Sequence, residues 1–141
     1  MSLIYWDTML FVYWFEAHPT YAERIRHILG KMEQRKDALC TSSFALAEML
    51  VGPYKRGAPE VAERIREAFR PPFVQVLSFT SEAADHYAKI RSEIAVSPAD
   101  AIHLACAAQA GVDLFLTNDR RLVGHIVPGI QFIAELESNL F

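Results

Sequence analysis

The chain has 141 residues, of which 52% are hydrophobic and 22% charged, the size and balance of one ordinary globular domain spanning 1–141, which excludes a disordered or fibrous protein. A formal net charge of −3 provides no global field to draw a polyanion, so any contact with nucleic acid has to come from local basic patches or a bound cation. Cys40 and Cys106 are the only cysteines, each isolated in an apolar stretch, which excludes a disulfide framework or paired zinc spacing and suits core thiols in a reducing compartment, the cytoplasm.

The first fifteen residues are very apolar, but Asp7 interrupts them, no basic stretch precedes them and no small-residue cleavage site follows. They are expected to belong to the fold rather than to a signal peptide. No apolar run approaches the roughly 18 residues that a membrane-spanning helix needs, so no membrane association is expected. Leu3 to Trp6 reads as a buried parallel strand that ends at Asp7-Thr8. An aromatic-rich turn or short helix follows through Phe15. Thr20-Tyr21-Ala22-Glu23 has the pattern of a capping box, and Ile25, Ile28, Leu29 and Met32 continue it at helical spacing to about Lys36.

Ala38 to Thr41 is a second strand. Thr41-Ser42-Ser43 offers N-caps for a helix that begins near Phe44 and is expected to stop at Gly52-Pro53. Pro59 opens another helix, with Val61, Ala62, Ile65, Ala68 and Phe69 on one face and Pro71-Pro72 as its stop. Phe73 to Phe79 alternates as a third strand, and Thr80 caps a helix carrying Ala83, Tyr87, Ile90 and Ile94. Ser97-Pro98 begins an Ala-rich helix that ends at Gly111. Val112 to Thr117 is a fourth strand, and after a short helical or loop segment Pro128-Gly129 turns the chain into a last strand, Ile130 to Ala134. Short apolar strands separated by helices predict an α/β fold, a three-layer α/β/α sandwich around a mostly parallel sheet. Ligands bind such sheets at the carboxyl ends of the strands, where strand order reverses.

Four acids stand at places this geometry favours. Asp7 and Asp119 each follow a strand, which puts both at the same sheet edge, although each equally suits the cap of a following helix. Glu48 lies on an otherwise apolar helix and shares a face with Phe44, Ala47 and Val51, so it needs a cation, a hydrogen-bond network or a route to solvent at the rim. Asp100 follows Ser97 in an S-x-x-D pattern, a structural cap that also aims a carboxylate at the sheet edge. No Lys or Arg stands beside them in sequence as an obvious partner. Clustered carboxylates raise one another's pKa unless a divalent cation neutralises them, and oxygen-only donors select Mg²⁺ or Mn²⁺ over zinc or copper.

Four segments in this order, Ile4-Tyr5-Trp6-Asp7-Thr8-Met9, TSSFALAEML (41–50), SPADAIHLACA (97–107) and LFLTNDRRL (114–122), resemble the PIN-domain family, particularly its VapC-like toxin ribonucleases. The resemblance spans essentially the whole chain, and DAIHLA on a helix followed by TND after the next strand is its most specific part. It implies an Mg²⁺- or Mn²⁺-dependent ribonuclease of three-layer α/β fold, leaving 5′-phosphate and 3′-hydroxyl ends. Asp7, Glu48, Asp100 and Asp119 fall at the acidic, metal-holding positions, and Thr8, Thr117 and Asn118 at supporting ones. Met9 departs from the small polar residue often found after the D-T pair. The resemblance also implies an RNA substrate, a homodimer and an inhibitory antitoxin seated in an apolar groove. Phe11, Tyr13, Trp14, Phe15 and Val51 to Tyr54 supply apolar surface for such contacts. Lys55, Arg56, Arg64, Arg120 and Arg121 are candidates for an RNA path, and His103, one turn after Asp100, reads as a structural histidine.

Three rivals are weighed against this reading. A haloacid-dehalogenase-type phosphatase needs a second Asp where Met9 stands, and a phosphoacceptor receiver domain needs a neighbouring acidic pair and a late Lys. The stronger rival is a non-catalytic RNA-binding or partner-binding module that keeps the fold with a metal site weakened at Met9.

Overall fold

Strand β1 (Leu3–Trp6) sends Ile4 and Trp6 into one apolar core and Tyr5 into another, because side chains on a strand alternate between the faces of its sheet. The same alternation runs through β2 (Ala38–Ser42) and β4 (Leu114–Thr117), where Leu39, Leu114 and Leu116 join the first core and Cys40 and Phe115 the second. A sheet apolar on both faces has to be covered on both. Helices α1 (Thr8–Phe15), α2 (Ala22–Arg35), α3 (Ser43–Arg56) and α4 (Pro59–Ala68) supply residues to the first core, and α5 (Ser81–Glu93), α6 (Pro98–Ala110) and α7 (Arg120–Val123) to the second. Tyr5, Trp6, Phe11 and Phe115 are fully buried, and hiding a large apolar side chain stabilises a fold by about 1.5–3 kcal/mol.

The structure, a computed structural model, describes residues 1–141. With β3 (Gln75–Leu77) and β5 (Phe132–Glu135), the strands form one sheet in the order β3-β2-β1-β4-β5, and every neighbouring pair is parallel. This is the predicted three-layer α/β/α sandwich. Successive strands move outward from β1 to β3 on one side and continue from β4 to β5 on the other, so the order reverses between β1 and β4. The register pairs Tyr5 with Phe115 and Trp6 with Leu116, which brings Asp7 beside Thr117 where the two strands end.

Three local expectations need correction. Helix α3 does not stop at Gly52-Pro53 but runs on to Arg56, where Gly57 in the left-handed conformation closes it and donates to Tyr54 O. Pro53 removes one helical N–H, a cost of about 3 kcal/mol, and its own burial opposes that cost. The capping box at Thr20 does not form. Helix α2 begins at Ala22 without a side-chain cap, and His18 Nδ1 instead accepts from the amides of Thr20 (3.1 Å) and Tyr21 (3.3 Å). The third strand is only Gln75–Leu77, flanked by the exposed rings of Phe73 and Phe79. A short strand suits the edge of a sheet, where unpaired backbone invites aggregation.

The turn into β5 is held by close backbone approach. Gly129 has φ +99°, and a Cβ there would lie 2.5 Å from Ala108 O, so the loop packs on α6 only because position 129 carries no side chain. Gly129→Ala should therefore destabilise the protein by at least about 1–3 kcal/mol. The measurement is a urea unfolding midpoint, and an unchanged midpoint would contradict the packing described.

Candidate active site

The reversal between β1 and β4 leaves a cleft of about 360 Å³ at the carboxyl ends of the strands, and Asp7, Glu48, Asp100 and Asp119 all line it. Each comes from a different element: Asp7 from the end of β1, Glu48 from α3, Asp100 from the first turn of α6 and Asp119 from the end of β4. Thr8, Met9, Tyr13, Ala99, His103, Asn118 and Arg120 complete the lining. The four acids therefore share one cavity, as their positions in the sequence predict.

Asp7 is largely enclosed, its side chain 13% exposed. It caps α1, with Oδ1 accepting from Thr8 N (2.7 Å) and Oδ2 accepting from Thr117 Oγ1 (2.9 Å). Burial raises its pKa from the ordinary carboxyl value, outweighing the opposite pull of His103, Thr117 and the Thr8 amide, and the nearby charge of Asp100 adds to the rise. Asp100 lies in the first turn of α6, where Ser97 Oγ accepts from its amide (3.1 Å). Its carboxylate has no ion-pair or hydrogen-bond partner in the protein. Met9 is exposed at the cleft wall and takes no part in orienting Asp7, a task that Thr8 and Thr117 perform.

Glu48 and Asp119 are already engaged. Glu48 Oε1 accepts from Thr8 Oγ1 (2.6 Å) and lies 2.7 Å from His103 Nε2. Burial is the largest single influence on Glu48 and raises its pKa, but the hydrogen bonds from His103 and the Thr8 hydroxyl together bring it below the ordinary value. The face that Glu48 shares with Ala47 and Val51 is largely exposed, so it is the rim of the core and not its interior. Asp119 caps α7 and is gripped by Arg121, with Nε to Oδ1 at 3.0 Å and Nη2 to Oδ2 at 2.7 Å. Hydrogen bonding from Arg121 lowers the Asp119 pKa. The expectation that no basic residue adjoins the acids in sequence is thus wrong at this position: Arg121 is only two residues away. Asn118 lines the cleft but donates to Tyr13 Oη (2.9 Å) and not to a carboxylate.

A model of the PIN domain family matches residues 4–124. The chain belongs to the PIN-domain family. Solved structures agree on the PIN fold. A VapBC toxin–antitoxin complex of Rickettsia felis bound to promoter DNA superposes with TM-score 0.76 at 16% identity, covering 94% of this chain and 98% of the other. A toxin–antitoxin complex of Klebsiella pneumoniae gives 0.67 at 20% identity, with coverages of 90% and 94%. A sarcin–ricin-loop-cleaving VapC toxin of Mycobacterium tuberculosis gives 0.64 at 18% identity, with coverages of 87% and 96%. No curated protein matches the sequence.

The donor set of this PIN domain fits a hard divalent cation. The four carboxylates offer oxygen only, and Asp7 and Asp100 are close enough for one charge to disfavour the other. No three His, Cys, Asp or Glu side chains are drawn into a closed ligand set. That openness suits Mg²⁺, which keeps several waters and binds through one or two carboxylates together with substrate phosphate instead of an all-protein cage.

Thr117 was expected to play a supporting part, and its geometry explains how. Fully buried, it donates to Asp7 Oδ2 and accepts from Asp119 N at 3.0 Å, so one hydroxyl joins two of the acids. Thr117→Val preserves the shape and removes both bonds. It should cost about 1–3 kcal/mol, the penalty for leaving buried polar groups unpaired, read from chemical denaturation, and a loss within error of zero would show that the link is not holding the site together.

Proposed function

We propose that the protein is an Mg²⁺- or Mn²⁺-dependent endoribonuclease, the toxin of a toxin–antitoxin pair acting in the cytoplasm, and that its reacting centre lies between Asp7 and Asp100. The observation that carries this reading is the meeting of four carboxylates from four elements in one cleft of a PIN domain. The description of one neighbour as a toxin that cleaves the sarcin–ricin loop supports RNA as the substrate class.

A bound divalent ion would lower the pKa of a water and offset charge on the scissile phosphate. Asp7 and Asp100 are the residues that would hold it, with Glu48 and Asp119 completing the site directly or through water. Thr8 N–H and Thr117 Oγ1 keep Asp7 turned into the cleft. Arg121 is exposed beyond its grip on Asp119, so an RNA phosphate can compete for the guanidinium and release the carboxylate toward the ion. Arg120, at the lining, is paired through Nε with Glu135 (2.9 Å) but largely exposed, so its remaining N–H groups can meet the phosphate backbone.

A second cavity of about 350 Å³ between α1, α3 and α4 supports an antitoxin as partner. Val12, Met49 and Ile65 give it an apolar floor, Arg56 and Arg64 stand in its lining, and Glu48 lines both this groove and the acidic cleft. A peptide segment seated there would reach the edge of the active site. Exposed Val51 and Tyr54 on α3 support the expected homodimer, which sedimentation at micromolar concentration checks.

Asp7→Asn and Asp100→Asn should each abolish RNA cleavage while retaining a cooperative thermal transition, and chelator should silence the unmodified protein. Full activity in either variant would remove these residues from the assignment. In melts, Mn²⁺ at a hundredfold excess over its Kd should stabilise the protein by about 2.7 kcal/mol, and the Asn variants should lose most of that gain. Arg121→Ala frees Oδ2 of Asp119 while Oδ1 keeps the backbone amide of residue 121, so it should tighten Mn²⁺ binding and raise KM for RNA, and unaltered values for both would deny Arg121 its two-sided role.

A further inference from the structure

Beneath the acidic cleft lies a polar chain of a kind that a buried core does not need for packing. His103 is 3% exposed, and its two ring nitrogens have different partners: Nδ1 is 2.7 Å from Tyr5 Oη, and Nε2 is 2.7 Å from Glu48 Oε1. Nε2 also lies 3.2 Å from Thr8 Oγ1 and 3.7 Å from Asp7 Oδ1. One imidazole therefore touches or adjoins the elements that carry Asp7, Glu48 and, one helical turn earlier on α6, Asp100.

The partners dictate the direction of each bond. The Glu48 carboxylate oxygen only accepts, so Nε2 has to carry the proton. Tyr5 is fully buried and burial keeps its phenol protonated far beyond the ordinary range, so its O–H can serve as the donor to the Nδ1 that this tautomer leaves bare. Thr8 spends its single hydroxyl proton on Glu48 Oε1, which leaves its longer contact with Nε2 only the acceptor role. Oε1 thus receives two donors, while no protein donor reaches Oε2.

We propose that His103 is a positioning residue, locked by Tyr5 as the tautomer protonated on Nε2, which fixes the Glu48 carboxylate so that Oε2 is the oxygen offered to the cation site. The inference rests on the metal-site reading above for its functional half. Its hydrogen-bond half stands on the geometry alone. An apolar side chain would fill the same space, but it would not orient Glu48.

The experiment has two arms. In the ¹⁵N-labelled protein, Nε2 of His103 should carry a proton, and an Nδ1–H tautomer with a bare Nε2 would overturn the proposal. Mn²⁺ affinity, titrated by electron paramagnetic resonance without RNA, should weaken about tenfold or more in Tyr5→Phe and in His103→Leu, the usual cost of removing the partner that orients a ligand. His103→Gln, which keeps an N–H directed at Glu48, should recover most of that loss, whereas a packing role would give no such recovery. Tyr5→Phe removes a single oxygen and keeps the test decisive if His103→Leu does not fold. Wild-type binding matched by Tyr5→Phe and His103→Leu overturns the positioning role alone. No Mn²⁺ binding by the wild type, with Asp7→Asn equally inert, overturns the metal-site reading and this role with it, while the ring tautomer still reports on the hydrogen bonds.

Discussion

Parallel pairing of β1 with β4 is the constraint on which the site depends. With Trp6 opposite Leu116, Asp7 and Thr117 leave their strands side by side, and the Asp7 amide donates to Leu116 O at 3.1 Å. A slip of one residue in either strand would turn every side chain to the other face. Tyr5 would then enter the core filled by Phe11 and Ile28, and Trp6 would meet α6. Neither ring fits the other's place, since Tyr5 stacks on Phe115 at 5.0 Å and Trp6 packs on Phe11 at 5.2 Å. The apolar core thus sets the register, and the register sets the spacing of the acids.

Electrostatics then divides the four carboxylates into two kinds. Against the raising effect of burial, hydrogen bonds from His103 and Thr8 hold the Glu48 pKa below its ordinary value, and the Arg121 guanidinium holds that of Asp119 down. Asp100 has no such partner, and at Asp7 burial outweighs the partners it has. Asp7 has two neutral donors that orient it without cancelling its charge, and its raised pKa records the unrelieved cost of being ionised in a buried place beside another acid. An incoming cation gains most where that cost is highest. On the proposed reading an open cleft would suit the chemistry, since a closed ring of carboxylates would trap a dehydrated ion, whereas fewer protein ligands would leave coordination positions for water and phosphate.

Much of this arrangement was legible in the chain. Asp7 and Asp119 declared themselves by following strands of a parallel sheet, Asp100 by opening a helix, and Glu48 by standing on an apolar one. The β-α order predicted the layers, and Ser97, Thr80 and Gly111 marked helix ends that the structure retains. Other features depend on tertiary contacts. Arg121 reaches Asp119 because residue 119 is a cap in extended conformation and not within a helix, where residues two apart point in different directions. Helix α3 continues through Pro53 because packing outweighs a local breaker. Tyr5 looks like any aromatic in a core strand, and only the face it occupies, set by the register, aims its hydroxyl at a histidine 98 positions away. A buried histidine amid alanines offers no local sign of that partner.

The satisfied state of the site links stability to function. Across the whole chain, the buried side-chain polar atoms without a hydrogen-bond partner are Trp6 Nε1 and Ser138 Oγ; none belongs to the acids, to Thr8 or Thr117, or to His103. The protein's own donors therefore hold the cleft in shape, unlike a small zinc module whose fold is formed by its ion. Binding energy from a cation or phosphate need not be spent on folding, and can instead go to rearrangement within the cleft. The exposed Arg121–Asp119 pair is the contact most readily exchanged, because solvent screens it and a phosphate offers the guanidinium an equivalent partner. The buried Tyr5–His103–Glu48 chain is the contact least readily exchanged, since breaking any bond in it strands a polar group away from water. On the proposed reading, rigid support below the cleft and a replaceable ion pair at its mouth would let one set of carboxylates stay ordered before substrate arrives and still yield an oxygen when it does.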